Sequence, residues 1–433
     1  MKSLIVGHGG RESALGMRMA QSSTLYAFMG HVNPTLAHLV SDTGGEYAIG
    51  DVCDARSIAD YASSNSVDIA MVSSDNPLEA GVVDALQAEG IPVVGPTRDG
   101  AEIEWNKAFS RQVVSKIEPT ANPQYILVRD VEGLAGAISD MSRDSREVVI
   151  KPVGLTGGKG VKVVGPHLPD NEAAYEYGSS IILSGQAGGA VIVEERLDAP
   201  EFTIQAMTDG KKVVFPPATY DYPYRYDGDS GPGTGGMGSY SMAGGLLPFL
   251  DKSTYEHACQ ITEDAIHYLV RSGRHFTGCM NAGFFATEEG PKVIEFNSRF
   301  GDPEGLNIMT LFEGDWVDVM YAMHHGKLND LLIPLAGESS VVVYLVSPEY
   351  ALKQGNPHHF SLDNGRASAA GVSVYFSSAC EESPGQFVTV GTSRAVAFAT
   401  CAHILADARE RVYGVIESVV DGSLEYRKDI ALV

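Results

Sequence analysis

Cysteine is scarce in this sequence and is not spaced for cross-linking. The 433 residues contain five cysteines, an odd number, at positions 53, 259, 279, 380 and 401. No two of them form a Cys-x-x-Cys pair, which argues against a disulfide framework or a zinc site built from cysteines. This usage is typical of proteins in a reducing compartment, and we expect a cytoplasmic location.

Long apolar runs are missing as well. No stretch reaches the roughly 18 to 20 uninterrupted apolar residues that a membrane-spanning helix requires. The first ten residues, MKSLIVGHGG, pass from a short apolar stretch directly into glycines. We therefore expect a first β-strand there and not a signal peptide.

Positive charge is in short supply. The chain has 31 lysines and arginines against 55 aspartates and glutamates, which gives a formal net charge of −24. Such a surface repels nucleic acid and acidic membranes, so neither is expected as a partner. An anionic small-molecule substrate would need a focused local pocket. We expect a monomer or a weak homodimer.

The sequence does have the composition of a globular protein with several units. Apolar residues make up 44% and charged residues 20%, and the length exceeds one ordinary core. Strand patterns alternate with helical ones at the start, which predicts an α/β unit with a doubly wound parallel sheet. The strands are predicted at residues 3–6, 25–29, 69–72 and 92–94, and the helices at 11–21 and 78–89.

The pattern changes after about residue 102. We predict an α+β unit over residues 103–335 and a small α/β unit over residues 336–433. Residues 220–239 are polar and rich in glycine and are predicted to form a long loop. Residues 396–418 are predicted to form one helix.

Two glycine-rich segments have the composition of anion-binding loops. Residues 7–12 (GHGGRE) lie at a strand-to-helix turn, where backbone N–H groups can approach an anion. A dinucleotide-type turn, or a tight connection without a ligand, fits the same residues, although Glu12 replaces the third glycine of GxGxxG. Residues 157–160 (GGKG) follow Lys151 and can fold over nucleotide phosphates. An ordinary hairpin turn is the alternative, and the Walker A pattern is absent.

The residues 295–304 (EFNSRFGDPE) carry the most specific chemistry. Alternation along a strand places Glu295 and Asn297 on one face, with Phe296 buried behind them. A carboxylate and an amide oxygen suit Mg²⁺, with water and phosphate completing the shell. Arg299 continues this face and can contact a phosphoryl or carboxylate group. A solvated strand face is the alternative.

Four segments together resemble the phosphoribosylamine–glycine ligase family, whose members are ATP-grasp enzymes of purine synthesis. They are residues 7–12, 155–160, 231–238 (GPGTGGMG) and 295–304. The resemblance runs in order to residues 427–430 (RKDI). It implies a Rossmann-like first unit, a central ATP-grasp fold with a mobile lid at about residues 120–190, and a small third unit. It also implies ATP and Mg²⁺, or Mn²⁺, and a reaction that joins glycine to phosphoribosylamine through a glycyl phosphate.

The resemblance also implies roles for individual residues. Catalytic roles are implied for Arg299 and Asp221, and metal ligation for Glu295 and Asn297. Contacts to ATP are implied for Lys107, Lys151, Gly158, Lys159, Glu194, Glu195, Leu197 and Glu201. Contacts to the other substrates are implied for Gly9, Gly10, Arg11, Gly235 and Gly236.

The sequence departs from the family pattern on the acceptor side. Ser13 replaces a histidine, and residues 73–75, 220–225 and 305–307 differ from the usual strings. An ATP-grasp ligase with another acceptor therefore stays open as an alternative. So do a non-catalytic nucleotide-binding regulator and, from the first glycine loop, a nicotinamide-dependent dehydrogenase. Against the dehydrogenase, no acidic residue ends the second strand near Met29.

Overall fold

The computed structural model describes residues 1–143, 147–156, 160–351 and 355–433. Its first unit is a parallel five-stranded sheet in the order β3-β2-β1-β4-β5. Leu4 and Val6 pack into one hydrophobic core while Ile5 packs into the other, so both faces of the sheet are covered and the predicted doubly wound fold is confirmed. The elements are β1 Lys2–Val6, α1 Gly10–Met19, β2 Thr24–Met29, α2 Pro34–Thr43, β3 Tyr47–Ile49, α3 Ala55–Ser64, β4 Ile69–Val72, α4 Asp75–Glu79, α5 Val82–Ala88 and β5 Val93–Val94.

The predicted helix over residues 78–89 is wrong as a single element. Two short helices, α4 and α5, meet at Gly81, whose φ of 80° lies in the left-handed region. Glycine adopts that conformation without steric cost, so the chain turns there instead of continuing the helix.

The predicted lid forms a compact sheet with two helices. Its strands pair antiparallel in the order β6-β9-β7-β8, and their apolar side chains form a core separate from the rest of the chain. Mobility of this unit stays a prediction. The elements from residue 98 are α6 Arg98–Trp105, α7 Lys107–Ile117, β6 Tyr125–Val128, α8 Val131–Met141, β7 Val148–Pro152, β8 Lys162–Val163, α9 Asn171–Ser184 and β9 Val191–Glu195.

The remainder of the central unit is built on a large antiparallel sheet. The predicted loop over residues 220–239 is wrong, because short strands occupy much of it and pair with strands distant in sequence. The elements are β10 Glu201–Thr208, β11 Val213–Val214, β12 Thr219–Asp221, β13 Tyr224–Tyr226, β14 Ser230–Gly233, β15 Gly238–Ser241, α10 Lys252–Arg271, β16 Gly278–Thr287, β17 Gly290–Asn297, α11 Glu304–Leu311 and α12 Trp316–His324.

The same sheet continues into the third unit, in the order β17-β16-β10-β12-β15-β18-β23-β20. The predicted division near residue 336 therefore falls between strands of one continuous sheet. The elements are β18 Ser339–Val346, β19 His359–Leu362, α13 Asn364–Ala369, β20 Ser373–Phe376, β21 Ala379–Ser383, β22 Gln386–Thr389, β23 Arg394–Ala402, α14 Leu405–Val419 and β24 Val420–Gly422. Short 3₁₀ turns occupy Pro119–Ala121, Gln186–Gly188 and Asp330–Leu332.

The predicted helix over residues 396–418 is half wrong. Its first part is the strand β23, which lies between β18 and β20. The alanines of this stretch favour a helix in isolation, but pairing on both sides and burial of Val396 and Phe398 decide for a strand. Only α14 is helical. Within the described ranges, no helix has both the length and the apolar character needed to cross a membrane.

Candidate active site

A buried carboxylate organises the nucleotide end of the candidate site. Glu194 is the next-to-last residue of β9, and its two oxygens contact Arg111 Nε and Lys151 Nζ, each at 2.6 Å. Burial alone would raise the pKa of Glu194, but the Arg111 and Lys151 cations lower it below the ordinary value. Arg111 also donates to the backbone oxygens of Val293 and Ile294 at 2.8 and 2.9 Å. Glu194 therefore joins α7, β7 and β17, and its contact with ATP stays a prediction.

Four of the predicted residues line one small cavity. Lys107, Lys151, Glu194 and Glu295 meet there, brought together from α7, β7, β9 and β17. Burial lowers the pKa of Lys107, Glu295 opposes that effect, and Lys151 adds to it. Two lysine cations lie beside two carboxylates, of which Glu194 is paired with Lys151, and such a mixture of charges suits a polyphosphate with its metal ion. The sequence motifs that are far apart in the chain thus converge.

The other predicted nucleotide contacts follow β9 or lie beside it. Glu195 accepts a hydrogen bond from the backbone N–H of Gln124 at 2.8 Å. Leu197 is half-buried, and Glu201 is exposed at the start of β10. Gly158 and Lys159 lie outside the described residues.

The Arg299 guanidinium lies between the Glu104 carboxylate and the Asn297 amide. It contacts Glu104 at 3.1 Å and donates to Asn297 Oδ1 at 3.2 Å. Glu104 also accepts from the backbone N–H and the hydroxyl of Ser298, at 2.8 and 2.9 Å. Burial would lower the pKa of Arg299, yet the Glu104 charge raises it. Arg299 Nε is buried with no hydrogen-bond partner in the described part of the chain.

The strand β17 places the predicted metal ligands as alternation requires. Phe296 is 1% exposed and packs against Phe284, whereas Glu295 and Asn297 are partly exposed on the other face. No cluster of three or more His, Cys, Asp or Glu side chains is placed to hold a metal within the described residues. Glu295 and Asn297 supply the oxygen donors that Mg²⁺ prefers, and phosphate and water would complete the shell.

The glycine-rich segment after β14 packs tightly against Asp221. Gly236 has a φ of 101°, and a Cβ there would come within 2.6 Å of Asp221 Oδ1 and 2.5 Å of Pro303 Cδ. Asp221 Oδ1 is buried and has no partner among the described residues. Burial and the Glu304 charge raise the pKa of Asp221, and Arg394 opposes them. Gly236 therefore lies beside Pro303, in the segment 295–304 for which phosphoryl chemistry is predicted.

The first glycine loop is closed by its own helix. Glu12 Oε2 accepts the N–H of Gly9 at 2.8 Å, which caps α1. Arg11 is 8% exposed and contacts Glu12 at 2.8 Å, the Phe300 carbonyl at 3.0 Å and Ser74 Oγ at 3.1 Å. The loop thereby joins the first sheet to the segment that bears Arg299. Its contact with a sugar phosphate stays a prediction.

Several residues of the site were not predicted from the sequence. Glu104 and Arg111 lie on amphipathic helices, where charged residues are common and carry no motif. Arg394 and Tyr344 lie on buried strands of the third unit. Both side chains contact the carboxylate of Asp302, and no sequence pattern indicates these contacts. The sequence offered no indication for Arg394, because the residues that follow it were predicted to form a helix.

Comparison with known proteins identifies the family of the chain. Residues 1–104 match the family model described as phosphoribosylglycinamide synthetase, N domain, and residues 105–305 match that of its ATP-grasp (A) domain. A relative from Thermococcus kodakarensis named phosphoribosylamine–glycine ligase is 37% identical over 430 residues, which cover 99% of this chain and 96% of the relative. One of the same name from Methanosarcina barkeri is 37% identical over 434 residues, again with 99% and 96% coverage.

Solved structures share the fold. Phosphoribosylamine–glycine ligase from Thermotoga maritima superposes with a TM-score of 0.80 at 23% identity, over 99% of this chain and 100% of that one. A biotin carboxylase domain from Hydrogenobacter thermophilus, solved in complex with MgADP, has a TM-score of 0.73 at 16% identity, over 98% and 91%. The central ATP-grasp fold is thus confirmed, and with the sequence relatives it follows that the chain belongs to the phosphoribosylamine–glycine ligase family.

Proposed function

We propose that this chain joins glycine to 5-phosphoribosylamine at the expense of ATP, giving glycinamide ribonucleotide, ADP and phosphate. The observation that carries the proposal is the convergence of Lys107, Lys151, Glu194 and Glu295 on one cavity. Family membership supports the substrates. The terminal phosphoryl group of ATP moves to the glycine carboxylate, and the amine then attacks the carbonyl carbon of glycyl phosphate and displaces phosphate.

The residues divide this work between them. Lys107 and Lys151 neutralise ATP phosphates, and Arg299 donates to the phosphoryl group in transit, where fixed positive charge supplies most of the catalysis. Glu295 and Asn297 hold Mg²⁺ or Mn²⁺, which supplies further neutralisation of phosphate charge when bound. The reaction needs no protein nucleophile. All five cysteines are unpaired, and a reducing cytoplasmic location belongs to the same proposal.

Product analysis tests the function directly. Incubation with ATP, Mg²⁺, glycine and freshly generated phosphoribosylamine is expected to give one glycinamide ribonucleotide for each ADP. Addition of hydroxylamine in place of the amine is expected to give glycine hydroxamate. Hydroxamate without glycinamide ribonucleotide would support a ligase with another acceptor. Absence of both products, with ATP unconsumed, would contradict the ligase proposal.

The acceptor end is proposed to lie at residues 7–11. Replacement of Arg11 by alanine is expected to raise KM for phosphoribosylamine by about tenfold or more while KM for ATP changes little, because the loss of a ground-state contact appears mainly in KM. Arg11 also donates to the Phe300 carbonyl, so any disturbance of the 295–304 segment by its loss should appear in kcat.

The matched control for this prediction is Arg56→Ala. Arg56 lies on α3, and its side chain is 92% exposed, so both KM values should stay at the wild-type level. If Arg11→Ala raised KM for ATP and left that for the amine unchanged, the loop would serve the nucleotide and the two ends of the site would have to be exchanged.

A further inference from the structure

One arginine of the third unit joins two segments of the candidate active site. Arg394 begins β23, and its guanidinium donates to the backbone oxygens of Gly235, Gly236 and Asp302. The same group meets the carboxylate of Asp302 at 2.9 Å. Its side chain is 13% exposed, so this pairing is largely shielded from water. Arg394 thus holds the glycine-rich segment and the Gly-Asp-Pro turn in a fixed relation.

Two tyrosines complete this arrangement. Tyr344 lies on β18, donates its hydroxyl to Asp302 Oδ1 at 2.5 Å, and places its ring 4.5 Å from the Arg394 guanidinium. Tyr350 accepts the N–H of Gly235 at 3.0 Å. The peptide groups around Gly235 are therefore held by Tyr350 on the N–H side and by Arg394 on the carbonyl side.

The carboxylate of Asp302 lies where three parts of the protein meet. A Cβ on Gly10 would come within 3.6 Å of Asp302 Oδ1, and one on Gly9 within 3.9 Å of Oδ2. Asp302 is therefore next to the proposed acceptor loop, and Arg299 lies three residues earlier in the same segment. Arg394 and Tyr344 occupy both carboxylate oxygens, so Asp302 is positioned by the third unit.

We propose that Arg394 is a positioning residue for the ligation: it aligns the glycine-rich segment 234–236 with the Asp302 turn, so that the acyl group and the attacking amine meet. This inference rests on the proposed function. Without the Arg394 guanidinium, the acyl phosphate still forms, but the amine is misplaced. Water then attacks the carbonyl carbon of glycyl phosphate, the bond to the phosphate oxygen breaks, and glycine and phosphate are released. ATP would be consumed without ligation.

The test is the coupling ratio of the Arg394→Met variant. A displacement of about 1 Å in such a site costs on the order of a hundredfold in rate, so kcat/KM for phosphoribosylamine, measured as glycinamide ribonucleotide formed, should fall by about that factor. KM for ATP should stay within about twofold, since the contacts of Arg394 do not reach the Lys107–Lys151 cavity. The ratio of ADP to glycinamide ribonucleotide should rise clearly above one. A purely structural role would lower all activities together and leave this ratio at one.

Two further variants keep the test decisive. Tyr344→Phe removes only the hydroxyl that contacts Asp302 and should raise the ratio in the same direction by a smaller amount, even if Arg394→Met fails to fold. Arg411→Met is the matched control, because Arg411 donates to Thr400 and to the Cys401 carbonyl within the third unit. It should keep wild-type coupling and KM values.

The outcomes separate this inference from the proposed function. Wild-type coupling and an unchanged kcat/KM for phosphoribosylamine in both Arg394→Met and Tyr344→Phe would overturn the positioning role, while the ligase activity itself would stand. If the wild-type protein formed only glycine hydroxamate, the acceptor assignment would fail. The positioning role would then be judged by the ratio of ADP to glycine hydroxamate: a ratio above the wild-type value in Arg394→Met would support it, and the wild-type ratio would overturn it.

Discussion

Replacement of Glu295 by glutamine is expected to lower kcat by about a hundredfold or more at ordinary Mg²⁺ concentration. A metal ion bound to phosphate stabilises developing charge by several kcal/mol, and about 1.4 kcal/mol corresponds to a tenfold change in rate. Glutamine keeps the size and one carbonyl oxygen but removes the negative charge that attracts the cation. Because Glu295 faces away from the buried Phe296, the fold should be retained.

The measurement is kcat as a function of Mg²⁺ concentration. The apparent Mg²⁺ constant should rise in Glu295→Gln, and high Mg²⁺ should restore part of the rate. Glu289→Gln is the control on the same hairpin, because this carboxylate is 82% exposed and contacts Lys292. Near-normal kcat for Glu295→Gln across the titration would remove Glu295 from the metal site.

The elements with local patterns were predicted correctly from the sequence. Strands β1, β2 and β4 are continuous apolar runs between helical patterns, and the structure places them within a residue of the prediction. The helix over residues 78–89 was wrong for a local reason, the left-handed Gly81, and the other errors arose where distant pairing decides. Strands β12 and β15 hold their conformation through each other and through β10 and β18, and no property of a polar, glycine-rich stretch reveals such partners.

The residues of the candidate site also differ in whether a local sequence pattern predicts them. Glu295, Asn297 and Arg299 stand within five residues of one another, so alternation along a strand was sufficient to group them. Glu104 and Arg394 reach the site from positions almost 200 and 92 residues away. Their roles depend on tertiary contacts that are absent from any local pattern. The groups proposed to contact substrates therefore lie in sequence motifs. The groups that hold them in place are brought together only by the fold.

Replacement of Arg299 by methionine is expected to lower kcat by about a thousandfold, the larger of the two effects. Positioned arginines that neutralise a phosphoryl group in transit contribute about 10³- to 10⁵-fold. Two nitrogens of Arg299 are occupied by Glu104, Asn297 and the Phe300 carbonyl, whereas the buried Nε has no partner among the described residues. An unsatisfied buried donor is costly, and a phosphoryl oxygen would satisfy it at the moment of transfer. The fall should therefore appear in kcat, with KM for ATP changed much less.

Arg274→Met provides the control for that prediction. Arg274 forms a comparable ion pair with Glu102 on the same helix as Glu104, at 2.7 Å and with 24% of its side chain exposed, but it lies outside the site. Its loss should leave kcat at the wild-type value, which separates the loss of an arginine–glutamate pair from the loss of phosphoryl contact. Glu104→Gln should cost less than Arg299→Met, since the guanidinium keeps its charge and its bond to Asn297. Equal kcat values for the wild-type protein and Arg299→Met, measured with saturating ATP and glycine, would mean that Arg299 serves only to brace the strand.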